Sequence, residues 1–201
     1  MGTNYELGPP KANNFIKTLA QWFVALVGWK AEGDLNLLPK KFVVIMAPHT
    51  SNWDLLFALG TVSALGLKFS WFGKKEVFRW PISGLFKQLG GIPIERSAHQ
   101  NMVEQTAALI RSRDQVVIGI APEGTRSNSK YWKSGFYRIA HQAAVPIVFG
   151  FLDYKRKAGG LGPLMETTGN IEEDLKVIRD YYKDVTAKYP ELVGEIAIKP
   201  Q

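Results

Sequence analysis

Three short apolar runs limit what this chain can fold into: "FVVIMA" at 42–47, "VVIGIA" at 116–121 and "VPIVFGFL" at 145–152. Each is continuous rather than alternating, and each ends in a polar turn or an acidic residue. Runs of this length and kind suit strands buried on both faces, as in a parallel sheet covered by helices. The segments between them read as helices. "NWDLLFALGTVSALG" follows the first run, with Thr50, Ser51 or Asn52 available as its N-cap. "WPISGLFKQLG" has Pro81 in its first turn and Gly90 past its end. Residues 100–111 and "KSGFYRIAHQA" also have helical spacing. "LKFSWFG" and "GIPIER" add two strands, the second at an edge or irregular position because Pro93 lacks an amide hydrogen. "GGLGPLMETTG" reads as loop or strand, and 171–190 as one long amphipathic helix with Ile171, Leu175, Ile178 and Tyr182 in a stripe. The expectation is one α/β domain: a mixed, largely parallel sheet flanked by helices, with an amphipathic helix at the N-terminus.

That N-terminal helix falls in "NNFIKTLAQWFVALVGWK", capped by Asn13 or Asn14 and ended by Gly28 or Gly33. Its uninterrupted apolar part, Trp22 to Trp29, is far shorter than the roughly 20 residues that span a bilayer. Two readings remain: a helix packed on the core, or an interfacial helix with aromatics at headgroup level. The cluster of Trp22, Phe23 and Trp29 favours the second. Residues 1–30 are thus read as a lead-in with an interfacial helix, and 31–201 as the α/β domain. A net charge of +7 favours an anionic partner without choosing among lipid, nucleic acid and phosphorylated substrate. The chain has no cysteine and only three histidines, widely spaced, so thiolate chemistry is excluded and a metal site is not expected.

The polar turns carry the chemistry. After the first strand comes "APHTSNWD". His49 and Asp54 would lie about 140° apart on one continuous helix. If the helix starts near Asn52, His49 stays in the turn and can fold back onto Asp54, which would then hold one imidazole nitrogen and free the other as a general base. The alternative is a capped helix start with Asp54 complementing the dipole and His49 incidental. After the strand at 116–120 comes "APEGTRS", in which Arg126 offers a planar fork to a phosphate; an ordinary proline turn is the alternative. Lys74, Lys75, Arg79 and Arg96 lie near other strand ends.

Taken together, these segments resemble the glycerolipid acyltransferase family that makes phosphatidic acid from 1-acylglycerol-3-phosphate. His49 and Asp54 match its HxxxxD block. Lys74, Lys75, Glu76, Pro81, Gly84, Gly90 and Arg96 match the second block, "PEGTRS" the third with "WKSG" after it, and "VPIV" the fourth. The second block departs from the more frequent Phe-Ile-Asp-Arg, ending here in Pro93, Ile94, Glu95 and Arg96. The resemblance implies transfer of a fatty acyl group from acyl-CoA or acyl carrier protein to the hydroxyl of a lysophospholipid. His49 would be the general base and Asp54 its partner. Lys74, Lys75, Arg96 and Arg126 would bind phosphate, and Glu123, Gly124 and Thr125 the acceptor. It implies no cofactor beyond the thioester and no nucleic acid. It also implies attachment to the cytoplasmic face of a membrane. Three other readings compete: an acyltransferase acting on another lyso-lipid or hydroxyl acceptor, a hydrolase using the same dyad on water, and a basic lipid-surface or nucleic-acid binding protein without catalysis.

Overall fold

The computed structural model describes residues 5–74, 78–79, 81–94, 102–126 and 129–198, without the side chains of residues 73, 74, 93 and 94. Its seven-stranded sheet has the order β1-β7-β6-β2-β5-β3-β4. The strands are β1 (Lys30–Glu32), β2 (Lys41–Ala47), β3 (Ser70–Lys74), β4 (Gly91–Ile94), β5 (Val116–Ile120), β6 (Ile147–Asp153) and β7 (Ala158–Met165). Every pairing is parallel except β6 with β7. The three continuous apolar runs are β2, β5 and β6, side by side in the middle of the sheet. β4, carrying Pro93, is an edge strand as expected.

Helices cover both faces: α1 (Asn14–Leu26), α2 (Trp53–Leu65), α3 (Ser83–Gln88), α4 (Met102–Ser112), α5 (Gly135–Ala143) and α6 (Ile171–Tyr182). Alternation along the central strands assigns the faces. Val43, Ile45 and Ile118 pack with Ile110, Phe136, Ile139, Leu175 and Ile178 of α4, α5 and α6. Phe42, Val44, Val117 and Val148 point the other way, towards Leu59 and Val62 of α2. α2 is apolar on nearly all sides because α1 lies across its outer surface, with Val24 beside Ala58 and Ala64. Gly60 permits this approach: a Cβ there would come within 2.8 Å of the Phe23 ring. The Asn13 side chain caps α1, accepting from the Phe15 amide at 2.8 Å, and Gly28, at φ +70°, turns the chain away after its end.

One strand is added to the expectation, one open reading is resolved, and two expectations are corrected. The strand β1 had no sequence signal; it is only three residues long. "AGGLGPLM" is a strand, antiparallel to β6. Pro81 precedes α3 by two residues instead of lying in its first turn. The long C-terminal helix stops at Tyr182 rather than near 190. There the Tyr182 hydroxyl donates to the Ile45 and Gly150 carbonyls at 3.0 and 2.8 Å, anchoring the helix end in the core. The following segment, with β-branched Val185 and Thr186, runs back over the sheet's C-terminal edge. The Thr186 carbonyl accepts from the Tyr154 amide at 2.9 Å, in place of a helical partner. No helix among the described residues is long and apolar enough to cross a membrane.

Candidate active site

Register places the two motif-bearing turns together. β2 pairs with β5, Ile45 opposite Ile120, so His49 lies four residues past one strand position and Glu123 three past its neighbour. Both emerge at the C-terminal edge of the parallel sheet, where α/β proteins place ligands.

The chain does fold back at His49. Its Nδ1 lies 3.1 Å from Asp54 Oδ2, and that same oxygen accepts the Thr50 and Ser51 amides, each at 2.8 Å. Asp54, in the first turn of α2, therefore shapes the loop that carries His49 as well as meeting the ring. Asn52 occupies the N-cap position without a side-chain cap bond, and the Ser51 hydroxyl before it accepts from the Trp53 amide at 3.1 Å. The other Asp54 oxygen, Oδ1, accepts from the Tyr154 hydroxyl at 2.7 Å. Asp54 is only 3% exposed. Burial by itself would raise its pKa. The hydrogen bonds from His49, Tyr154 and the Ser51 amide, with the charge of His49, bring it below the ordinary aspartate value. Asp54 is thus an ionised acceptor, so the network assigns the proton to His49 Nδ1 and the lone pair to Nε2. The His49 side chain is 24% exposed.

Glu123 sits behind His49, 7% exposed, and its Oε1 accepts the His49 amide at 2.9 Å. Its Oε2 is buried without a hydrogen-bond partner among the described residues. Burial, and then the charge of Asp54, pushes this carboxyl up to about 8 against the opposing bond from the His49 amide. It is therefore neutral at pH 7. The next residue, Gly124, has φ +65°, and a Cβ there would meet the Lys133 side chain at 2.8 Å. The lysine of "WKSG" thus lies over the "PEGTR" turn, and its amide donates to the Pro122 carbonyl at 2.9 Å.

Thr125 and Arg126 are exposed, and the Arg126 guanidinium donates to the Asn52 side-chain oxygen, linking the two turns. Between them opens a cleft of about 260 Å³ lined by Thr50, Ser51, Asn52, Trp53, Arg126 and Tyr189. Its far wall comes from the C-terminal segment: the Tyr189 amide donates to Thr50 Oγ1 at 3.2 Å, and Lys188 Nζ lies 5.5 Å from the Trp53 ring. The structure thus gathers His49, Asp54, Glu123, Gly124, Thr125 and Arg126 at one sheet edge. Lys74 ends β3, one strand beyond β5, and only its backbone is described; Lys75 and Arg96 lie outside the described residues. Tyr154, Lys188 and Tyr189 carried no sequence signal, since what brings them here is strand register and the path of the chain after α6. Among the described residues no group of three or more His, Asp or Glu could hold a metal ion.

The site is thus a carboxylate-anchored histidine in the turn after a central strand of a covered, largely parallel α/β sheet. The acyltransferase family model matches residues 29–148, more than half of the chain, and the protein belongs to the acyltransferase family. Its fold is similar to the crystal structure of the 1-acyl-sn-glycerophosphate (LPA) acyltransferase PlsC from Thermotoga maritima, with a TM-score of 0.57 and 17% identity over 87% of this chain and 80% of that one. No curated protein matches at a significant level.

Proposed function

We propose that the protein is a membrane-associated O-acyltransferase. In this reading it moves a fatty acyl group from acyl-CoA or acyl carrier protein to the free hydroxyl of 1-acylglycerol-3-phosphate, giving phosphatidic acid. The observation that carries the reading is a histidine tied through Nδ1 to a buried carboxylate, beside a cleft with an arginine on its wall. His49 Nε2 takes the proton of the acceptor hydroxyl as its oxygen attacks the thioester carbonyl. The tetrahedral adduct collapses, the C–S bond breaks, and the imidazolium returns the proton to the departing thiolate. Asp54 stabilises the imidazolium while it exists. The Arg126 fork suits a phosphate monoester on the acceptor. The Thermotoga protein of similar fold is itself named as a 1-acyl-sn-glycerophosphate acyltransferase, which supports this acceptor.

Membrane attachment is assigned to α1. Phe15, Leu19, Trp22 and Leu26, spaced at helical intervals, are 61–87% exposed on the side away from α2. A stripe this apolar on a chain with net charge +7 fits the interface of an anionic bilayer. Labelled acyl-CoA and acyl carrier protein, each offered with a panel of lysophospholipids, test the reaction. Labelled phosphatidic acid is the expected product. Free fatty acid alone would make the protein a hydrolase, and acylation of a phosphate-free acceptor in preference would reject lysophosphatidate.

A further inference from the structure

The reading of His49 as general base, on which the following rests, leaves one half-buried hydroxyl unexplained. Tyr154 lies beyond the residues that match the family model, in the turn after β6. β6 pairs with β2, Phe151 opposite Ala47, so Tyr154 comes out beside the His49 turn on the side away from Glu123. Its ring is held on two sides. Trp29 meets it edge-on at 5.0 Å and Phe57, one turn past Asp54 on α2, at 5.9 Å, while Trp29 and Phe57 stack on each other at 4.3 Å. The hydroxyl has one direction to point, at Asp54 Oδ1, and no other donor reaches that oxygen among the described residues.

We propose that Tyr154 is a positioning residue for acyl transfer: its hydroxyl fixes the Asp54 carboxylate so that Oδ2 faces His49, and it tempers the negative charge that the imidazole feels. Asp54 Oδ2 serves His49 and two backbone amides at once, a geometry that holds only while the carboxylate cannot rotate. Tyr154 prevents that rotation from the far oxygen. Burial, followed by the bond to Asp54, holds the phenol well above its ordinary pKa, so it remains a donor throughout the working range. The other charged or titratable groups around this pair are Glu123 behind the His49 amide, Arg126 across Asn52, and Lys188 and Tyr189 from the C-terminal segment. Lys188 Nζ stands 5.5 Å from the Tyr154 ring. None of them takes the hydroxyl's place on Oδ1.

Removing the hydroxyl leaves the Asp54 charge less compensated and so favours the imidazolium. In Tyr154→Phe, His49 should therefore keep its proton to higher pH. At pH 7 kcat should fall about tenfold, as expected for a lost charge-assisted bond, with acceptor KM unchanged. The acid limb of the pH–rate profile should move to higher pH. The ring titration of His49, followed by NMR without substrate, should move with it. Trp29→Phe serves as the control: it loosens the aromatic packing and keeps the hydroxyl, so it should lower the melting temperature and leave the titration in place. An unmoved His49 titration in Tyr154→Phe overturns the proposal, as does a loss of kcat that merely tracks lost stability. Because the NMR readout needs no substrate, it judges Tyr154 even if wild-type protein acylates no lysophosphatidate, a result that would instead remove the acceptor assignment.

Discussion

Glu123→Gln is the substitution whose outcome the geometry constrains most tightly. The glutamine carbonyl can still accept the His49 amide, so the turn keeps its shape while the group loses its ability to ionise. In the native chain the carboxyl is held up to about 8 by burial and by the Asp54 charge, against an ordinary value of 4.5. The folded protein therefore keeps a proton through a pH range in which the unfolded chain has released it. Stability must fall as pH rises across that range, and level off above about 8. At about 1.4 kcal/mol per pH unit, the interval from 4.5 to about 8 corresponds to a ceiling near 5 kcal/mol. Relaxation of the groups around the unpartnered Oε2 reduces this, and about 2–3 kcal/mol is expected.

The assay is the melting temperature of both proteins from pH 4.5 to 9, read as a difference so that the remaining titrations cancel. Near pH 4.5 both side chains are neutral and the difference should be close to zero. By pH 8.5 the glutamine variant should melt about 5–10 °C higher, since 1 kcal/mol shifts a protein of this size by about 2–4 °C. Two parallel curves would show that Glu123 ionises at an ordinary pH in the folded chain. A variant that grows less stable than wild type as pH rises would show that a cation meets Oε2. Either result refutes the neutral-carboxyl account.

Other outcomes follow from the same geometry. His49→Ala should lower acyl transfer by about 10²–10⁴-fold, and because the side chain is partly exposed, the melting temperature should hardly change. Arg126→Ala should raise KM for phosphorylated acceptors and leave a phosphate-free lysolipid unaffected; equal losses with both would remove the arginine from phosphate recognition. Replacing Phe15, Leu19, Trp22 and Leu26 together with serine should abolish flotation with anionic vesicles while preserving the fold, since all four side chains face away from α2. Unchanged flotation would place the membrane contact elsewhere.

The parts of this site that could be read in the sequence are those whose chemistry is local. β2, β5 and β6 announce themselves as continuous apolar runs, and the segments after β2 and β5 carry six of the nine site residues singled out. Even the obstacle to pairing His49 with Asp54, a five-residue offset, is resolved within six residues, because Asp54 accepts the amides of Thr50 and Ser51 and so bends the loop itself. The α1 segment was also legible, though as two alternatives. In the structure Val24 and Phe23 pack against α2, and the Trp22 side is exposed.

What the sequence could not show arises from register. Glu123 is assigned to the acceptor site by the resemblance alone, and only the pairing of β5 with β2 shows that it lies buried beneath the His49 amide. Tyr154 lies 100 residues from Asp54, in a stretch with no motif, and meets it only because β6 flanks β2 on the side opposite β5. The third strand end thus contributes as directly as the other two. β2 supplies the histidine, β5 the carboxyl that supports its amide, and β6 the phenol that fixes its carboxylate partner. A central strand with parallel neighbours on both sides is what allows the base to be held from two directions at once. An edge strand would leave one of those supports missing, which gives a physical reason for the HxxxxD turn to follow the middle strand of this sheet.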